Sequence, residues 1–200
     1  MNIKKIQKTK LLINSSKEEL RKKYGISTSR AVIYCARFTK HRRSDLLENL
    51  IDKMNFDDVS FIIIGDGPYK PNFNSYKRVY DYGSLYNDLI KAELFSISEF
   101  SFQPAWSGLS VVESFANGIP FITFKRAENI KQSVEYNYIK SGKNGFIIKD
   151  LIEAKKIIMN TSKKEIKIMK EYSFNFAREN LSLDNMVNNF INGINHVMSS

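Results

Sequence analysis

Two stretches of this chain carry residue types and spacings suited to holding an anion. The first is Arg37-Phe-Thr-Lys-His-Arg-Arg-Ser-Asp45, which directly follows the apolar run Ala31-Val-Ile-Tyr-Cys-Ala36. A basic loop that leaves the carboxyl end of a strand and opens a helix lies where α/β sheets bind ligands. The second is Trp106-Ser-Gly-Leu-Ser-Val-Val-Glu-Ser-Phe-Ala-Asn-Gly-Ile-Pro120. Ser107 and Gly108 stand where a helix begins, and a small or capping residue there leaves the first backbone N–H groups free. Such an open end favours an anion through those N–H groups and through the helix dipole.

Gly118 after Asn117 stops this helix, and Pro120 cannot continue it. On a helical wheel Leu109, Val111, Val112, Phe115 and Ala116 form one apolar face, with Ser110, Ser114 and Asn117 opposite. Glu113 lies at the margin of that face, where a carboxylate can line a cleft. Periodicity alone fits equally well an ordinary amphipathic helix with one solvated glutamate.

The elements that must position these residues alternate along the chain. Residues 1–16 show no clear period and are expected to form an irregular lead-in. Ser16 to Gly25 predicts a short helix, with Ser16 as N-cap and Glu19 at N3. A buried strand over 31–36 follows, then a helix on Leu46, Leu47, Leu50, Ile51 and Met54. Ser60-Phe-Ile-Ile-Ile64 is the clearest buried strand, ended by the turn Gly65-Asp-Gly-Pro68. Residues 69–76 are loop-like, Arg78 to Tyr82 reads as a short strand, and Gly83 as a turn. Ser84 is expected to cap a helix over 85–92. Phe100-Ser-Phe102 leads into the second stretch, and Phe121-Ile-Thr123 leaves it as a strand. From Leu151 onward the pattern is helical. This alternation predicts a doubly wound parallel sheet closed by C-terminal helices, with residues 1–27 as lead-in and 28–200 as one domain.

The second stretch resembles the signature helix of retaining GT-B glycosyltransferases of family four (glycosyl transferases group 1), written E-x-F-G-L-x-x-x-E-A-x-A-x-G-x-P. Gly108, Leu109, Glu113, Ala116, Gly118 and Pro120 match it in register. The resemblance places Glu113 on the ribose of a nucleotide-sugar and the backbone N–H groups of Gly108 and Leu109, beside Ser107, on its diphosphate. The first loop is similar to the family's G-R-x-x-x-x-K loop, so Arg37 and Arg42 would grip the diphosphate and stabilise it as it leaves. Arg42 stands for the lysine and keeps its charge. Lys40, His41 and Arg43 read as bystanders. The turn at Gly83 would approach the base, making Tyr82 to Leu85 base contacts. Gln132 to Ile148 resembles a segment of bacterial polysaccharide members, with Glu135 expected to bond a nearby backbone turn. Two departures stand out: Ala105 replaces the first glutamate of the signature, and Ala36 replaces the glycine of the basic loop.

The resemblance implies the donor-binding, Rossmann-like half of a GT-B enzyme. Such an enzyme would move a sugar from a UDP- or GDP-sugar to a saccharide or lipid-linked acceptor, in surface polysaccharide synthesis, without metal or other cofactor. The alternatives are a non-catalytic subunit of a split transferase, an inactive truncated remnant and, less favoured, a sugar-nucleotide epimerase on the same fold. The partner expected is an N-terminal acceptor domain, on another chain if the enzyme is split.

Composition sets outer bounds. With 42% apolar and 12% aromatic residues in 200, the chain can enclose a full α/β core. The single cysteine, Cys35, excludes a disulfide framework and suits a reducing cytoplasm, where it reads as a small buried hydrophobe. The net charge of +10 is uneven, with nine Lys/Arg against Glu18 and Glu19 in residues 1–30. That balance fits a solvated surface or contact with an anionic membrane at its inner face. No basic-aromatic module supports nucleic-acid binding. No apolar run is long enough for a membrane span or a leader's core. His41 and His196 are far apart, with no metal-ligand spacing.

Overall fold

The computed structural model describes residues 2–199. Six parallel strands form one sheet: β1 (Arg30–Cys35), β2 (Val59–Ile64), β3 (Val79–Asp81), β4 (Phe100–Phe102), β5 (Phe121–Phe124) and β6 (Gly145–Ile148). Their order is β3-β2-β1-β4-β5-β6. The chain therefore builds outward from β1 to one edge, then returns to β4 and builds to the other. The reversal opens a crevice at the carboxyl ends of β1 and β4, the place where open α/β sheets take ligands.

Helices cover both faces, so the central strands read as continuous apolar runs. The two-residue period sends Val32 and Tyr34 of β1, with Phe61 and Ile63 of β2, to one face. There they pack under α3 (Ser44–Lys53) and α6 (Leu151–Asn160). Ile33, Ile62 and Ile64 go to the other face, under α2 (Lys17–Lys23) and α4 (Asp88–Ile97). A third cluster joins α5 (Leu109–Ala116) to α7 (Lys163–Asn180) through Val111, Phe115 and Ala177. The capping box of Ser16 and Glu19 forms on α2 as the spacing predicts.

Three expectations are corrected. The lead-in is not irregular: Ile3–Leu11 is a helix, α1, capped by Asn2, whose side chain accepts from Lys5 N–H. Its period is masked because the inward positions include Gln7 as well as Ile3. The helix expected from Ser84 begins instead at Asn87, whose side chain accepts from both Leu89 and Ile90 N–H at 3.0 Å. Ser84 and Leu85 stay in the loop before it. Finally, α5 is not two-faced. It is wedged between the sheet, α1 and α7, so Ser114 and Asn117 are buried, while Leu109 in its first turn is 54% exposed.

The last helix, α8 (Leu183–Met198), lies outside the core, with Phe190 and Val197 exposed. Among the described residues no helix is long and apolar enough to cross a membrane.

Candidate functional site

The crevice is a cleft of about 670 Å³ whose lining includes Cys35, Arg37, Arg42, Lys91, Leu109 and Glu113. Its floor is the meeting of two backbone loops. Ala36 N–H donates to Ile64 O at 3.0 Å, and Phe38 N–H to Asp66 O at 2.9 Å. The basic loop after β1 is thereby zipped to the Gly65-Asp-Gly turn after β2. Only glycine permits that approach: a Cβ on Gly65 would lie 2.0 Å from Ala36 O, and one on Gly67 2.2 Å from Phe38 O. A turn that in sequence was only good turn chemistry fixes the backbone on which Arg37 stands.

Past Thr39 a short 3₁₀ turn, Lys40–Arg42, swings Arg42 inward. Its Nη1 lies 3.4 Å from Ser110 Oγ, in the first turn of α5. Burial lowers the pKa of this guanidinium against the opposing influence of Tyr34 and Cys35. Among the described residues neither Arg37 nor Arg42 has a carboxylate partner. Arg43, by contrast, is committed to Asp45 at 2.7 Å and to Asn129 O at 2.9 Å. Lys40 is exposed, and the His41 ring stands 5.5 Å from that of Trp106. Two guanidinium groups without carboxylate partners beside a helix start are chemically suited to hold an anion.

The helix end is narrower than the sequence predicts. Gly108 N–H is not free for a ligand: it donates to Ser133 Oγ at 2.7 Å. Ser107 is fully buried and turns away from the cleft, its hydroxyl donating to Gln132 Oε1 at 2.9 Å. The cause is the segment 131–133, which crosses the start of α5. Leu109 N–H has no protein acceptor among the described residues and is the amide left for an anion. Gly83 likewise does not line the cleft; its N–H donates to Asp81 Oδ1 at 2.9 Å and its carbonyl accepts from Gly65 N–H. Of the expected base contacts, Tyr82 packs on the second core cluster, whereas Ser84 and Leu85 line the cleft together with Tyr86.

Glu113 is in the cleft, with 13% of its side chain exposed. Lys91 of α4 donates to its Oε1 at 2.7 Å, and the Cys35 thiol donates to its Oε2 at 3.6 Å. Burial alone would lower the Lys91 pKa, but Cys35 and Glu113 outweigh it and hold it above its ordinary value. The Cys35 thiol is pushed far up, first by burial and then by Glu113. Cys35 is thus buried as expected, yet it lies at the cleft wall, against the carboxylate.

Sequence reasoning missed Lys91, whose only signal is its place one turn after the Asn87 cap. It also missed the role of Gln132, which proves central. This buried amide donates from Nε2 to Thr123 Oγ1 at 2.8 Å, Phe124 O at 2.9 Å and Pro104 O at 3.2 Å, while its oxygen receives Ser107. Among the described residues Glu135 makes no hydrogen bond to a turn; Asn144 does that work, bonding Tyr138 O and Lys140 N–H. Ala105, where the first signature glutamate would stand, is fully buried. Among the described residues no group of three His, Cys, Asp or Glu side chains could hold a metal.

No curated protein is similar enough in sequence to match this chain. Among solved structures, a glycosyltransferase from Rickettsia africae superposes with a TM-score of 0.72 at 19% identity, over 99% of this chain and 55% of its own. HepE from Anabaena, solved with UDP and glucose, gives 0.70 at 16% identity, over 92% of this chain and 53% of its own. The C-terminal domain of a glycosyl transferase group 1 family protein (LpcC) from Francisella tularensis gives 0.65 at 11% identity, over 88% and 98%. The chain spans about half the length of the first two structures and nearly all of the third. These likenesses show a shared fold, one half of the GT-B architecture. The model of the glycosyl transferases group 1 family matches residues 16–163, and the chain belongs to that family.

Proposed function

We propose that the cleft binds a nucleoside-diphosphate sugar and that the chain is the donor-binding half of a glycosyltransferase. The observation that carries this reading is the pair of guanidinium groups, Arg37 and Arg42, left without carboxylates beside the first turn of α5 and facing Glu113. A diphosphate supplies the missing negative charge. Leu109 N–H adds a donor, Glu113 takes the ribose hydroxyls, and Ser84 to Tyr86 flank the base. HepE was solved with UDP, which favours uridine over guanosine here.

Bond cleavage in such a donor leaves charge on the departing diphosphate. Arg42, set against Ser110, and the Leu109 amide stand in place before the reaction, and with Arg37 they compensate that charge as it develops. This arrangement supplies from side chains what a divalent cation would otherwise provide. The acceptor, a saccharide or lipid-linked sugar of a surface polysaccharide, is assigned to a second domain of the size the longer relatives carry beyond the matched half.

Thermal unfolding in the presence of UDP, GDP and their glucose or mannose conjugates tests the reading. A ligand at a hundredfold its Kd stabilises by about 2.7 kcal/mol, so a clear rise in Tm with one of them is expected. No rise with any at millimolar concentration overturns the proposal.

A further inference from the structure

A second concentration of positive charge lies at the other end of the sheet. Arg30 begins β1, and beside it a groove of about 440 Å³ is lined by Lys17, Arg21, Arg30, Lys163, Lys167 and Lys170. Lys17 and Arg21 are four apart on α2. Lys163, Lys167 and Lys170 fall at successive turns of one face of α7. Two basic helix faces thus meet across the groove, an arrangement that costs free energy while it stays empty.

Protein groups do little to offset it. Glu99 is the carboxylate within reach: it pairs with Lys17, lies 3.9 Å from Arg21, and also accepts Ala31 N–H at 2.6 Å. Glu18, the other acid of the lining, forms no ion pair among the described residues. Arg30 Nη2 donates to the Met159 and Thr161 carbonyls at 3.3 and 2.8 Å, and its Nη1 is buried without an acceptor. Lys170 donates to the Ser98 carbonyl. Carbonyls satisfy donors but do not cancel charge.

We propose that this groove is a second anion site that takes a phosphate- or pyrophosphate-bearing ligand, distinct from the nucleotide cleft at the carboxyl end of the strands. The geometry gives it a proton-linked signature. Desolvation, reinforced by Lys17 of α2, Lys10 of α1 and Arg21 of α2 and opposed by Glu99 ahead of β4, lowers the Lys170 pKa to about 7. Near pH 8 Lys170 is largely neutral, and an anion entering the groove draws a proton onto it.

The test is calorimetric titration of the full chain with sodium pyrophosphate at pH 8, in Tris and in HEPES, whose ionisation heats differ. The background is Arg37→Ala/Arg42→Ala, which silences the nucleotide cleft. Binding is expected to persist with proton uptake. It should weaken at least tenfold on adding Lys163→Glu/Lys167→Glu, two exposed positions, and stay within twofold on adding Lys140→Glu/Lys143→Glu instead. In parallel, capture on phosphatidylglycerol vesicles that needs Lys163 and Lys167 would assign the phosphate to a lipid headgroup. Pyrophosphate binding without capture assigns it to a soluble ligand. Absence of both, or equal loss in the Lys140/Lys143 variant, overturns the site.

Discussion

Lys91 Nζ sits 2.7 Å from Glu113 Oε1, joining the helix before β4 to the helix after it across the mouth of the cleft. The pair is about three-quarters shielded or more on each side, so the carboxylate that would grip a ribose is already aimed before a ligand arrives. Lys91→Met removes the aim without touching the anion end. UDP affinity is expected to fall about tenfold, the scale of one lost charge-assisted hydrogen bond, while pyrophosphate affinity stays unchanged. Calorimetry with the two ligands separates these outcomes.

Arg42→Ala should weaken UDP, and pyrophosphate at this cleft, by roughly ten- to a hundredfold, read in a Lys163→Glu/Lys167→Glu background so that the second groove does not contribute. Arg42→Lys should recover part of the loss, because charge survives and the planar fork does not. Equal affinities of wild type and Arg42→Ala for both ligands would remove this residue from the site.

Gly65→Ala sets a methyl group 2.0 Å from a backbone oxygen that is itself tied into the loop carrying Arg37. The variant should lose about 2 kcal/mol or more of stability and bind UDP more weakly at a temperature where it is still folded. Gly142→Ala, where nothing lies within 4 Å of the added carbon, is the control for positive φ alone. Urea denaturation compares them.

Lys10 and Lys170 are both held below their ordinary pKa by burial, to about 8 and about 7. The unfolded chain keeps these protons where the folded chain has released them, so stability rises with pH from about 7 toward 9. Lys170 faces Lys17, Arg21, Glu99 and Lys10. Lys170→Met should flatten the rise, read as Tm against pH.

Gln132→Ala leaves the Ser107 hydroxyl without its acceptor and removes the donor to Thr123 Oγ1, Phe124 O and Pro104 O, although Thr123 keeps its own bond to Pro104 O. A cost of about 2 kcal/mol is expected, with weaker UDP binding because the start of α5 is no longer pinned. Gln132→Glu should cost more than Gln132→Ala, because it sets a buried carboxylate oxygen against the Phe124 and Pro104 carbonyls.

Much of this was legible in the residues. Arg37, Arg42 and Glu113 line one cleft, because the loop after β1 and the helix after β4 both lie at the carboxyl ends of parallel strands. What was hidden depended on contacts distant in sequence. Gly108 N–H seemed free because nothing local could show that Ser133 crosses it. The lead-in hid α1 because its inward face is completed by a glutamine, which no apolar period records. Asn87 outcompeted Ser84 as a cap, since it satisfies two N–H groups at once and is followed by Asp88 in the first turn.

The Gln132 clasp has one more consequence. Gln132 ties the entry of α5 to the paired strands β4 and β5, so that end of the cleft behaves as a fixed jaw. Opposite it, Gly83 to Asn87 carries no regular structure and Tyr86 stands 90% exposed. If the cleft takes the proposed nucleotide, accommodation of different bases falls on this second jaw, and changes there would retune nucleotide choice while the grip on the diphosphate stays as it is.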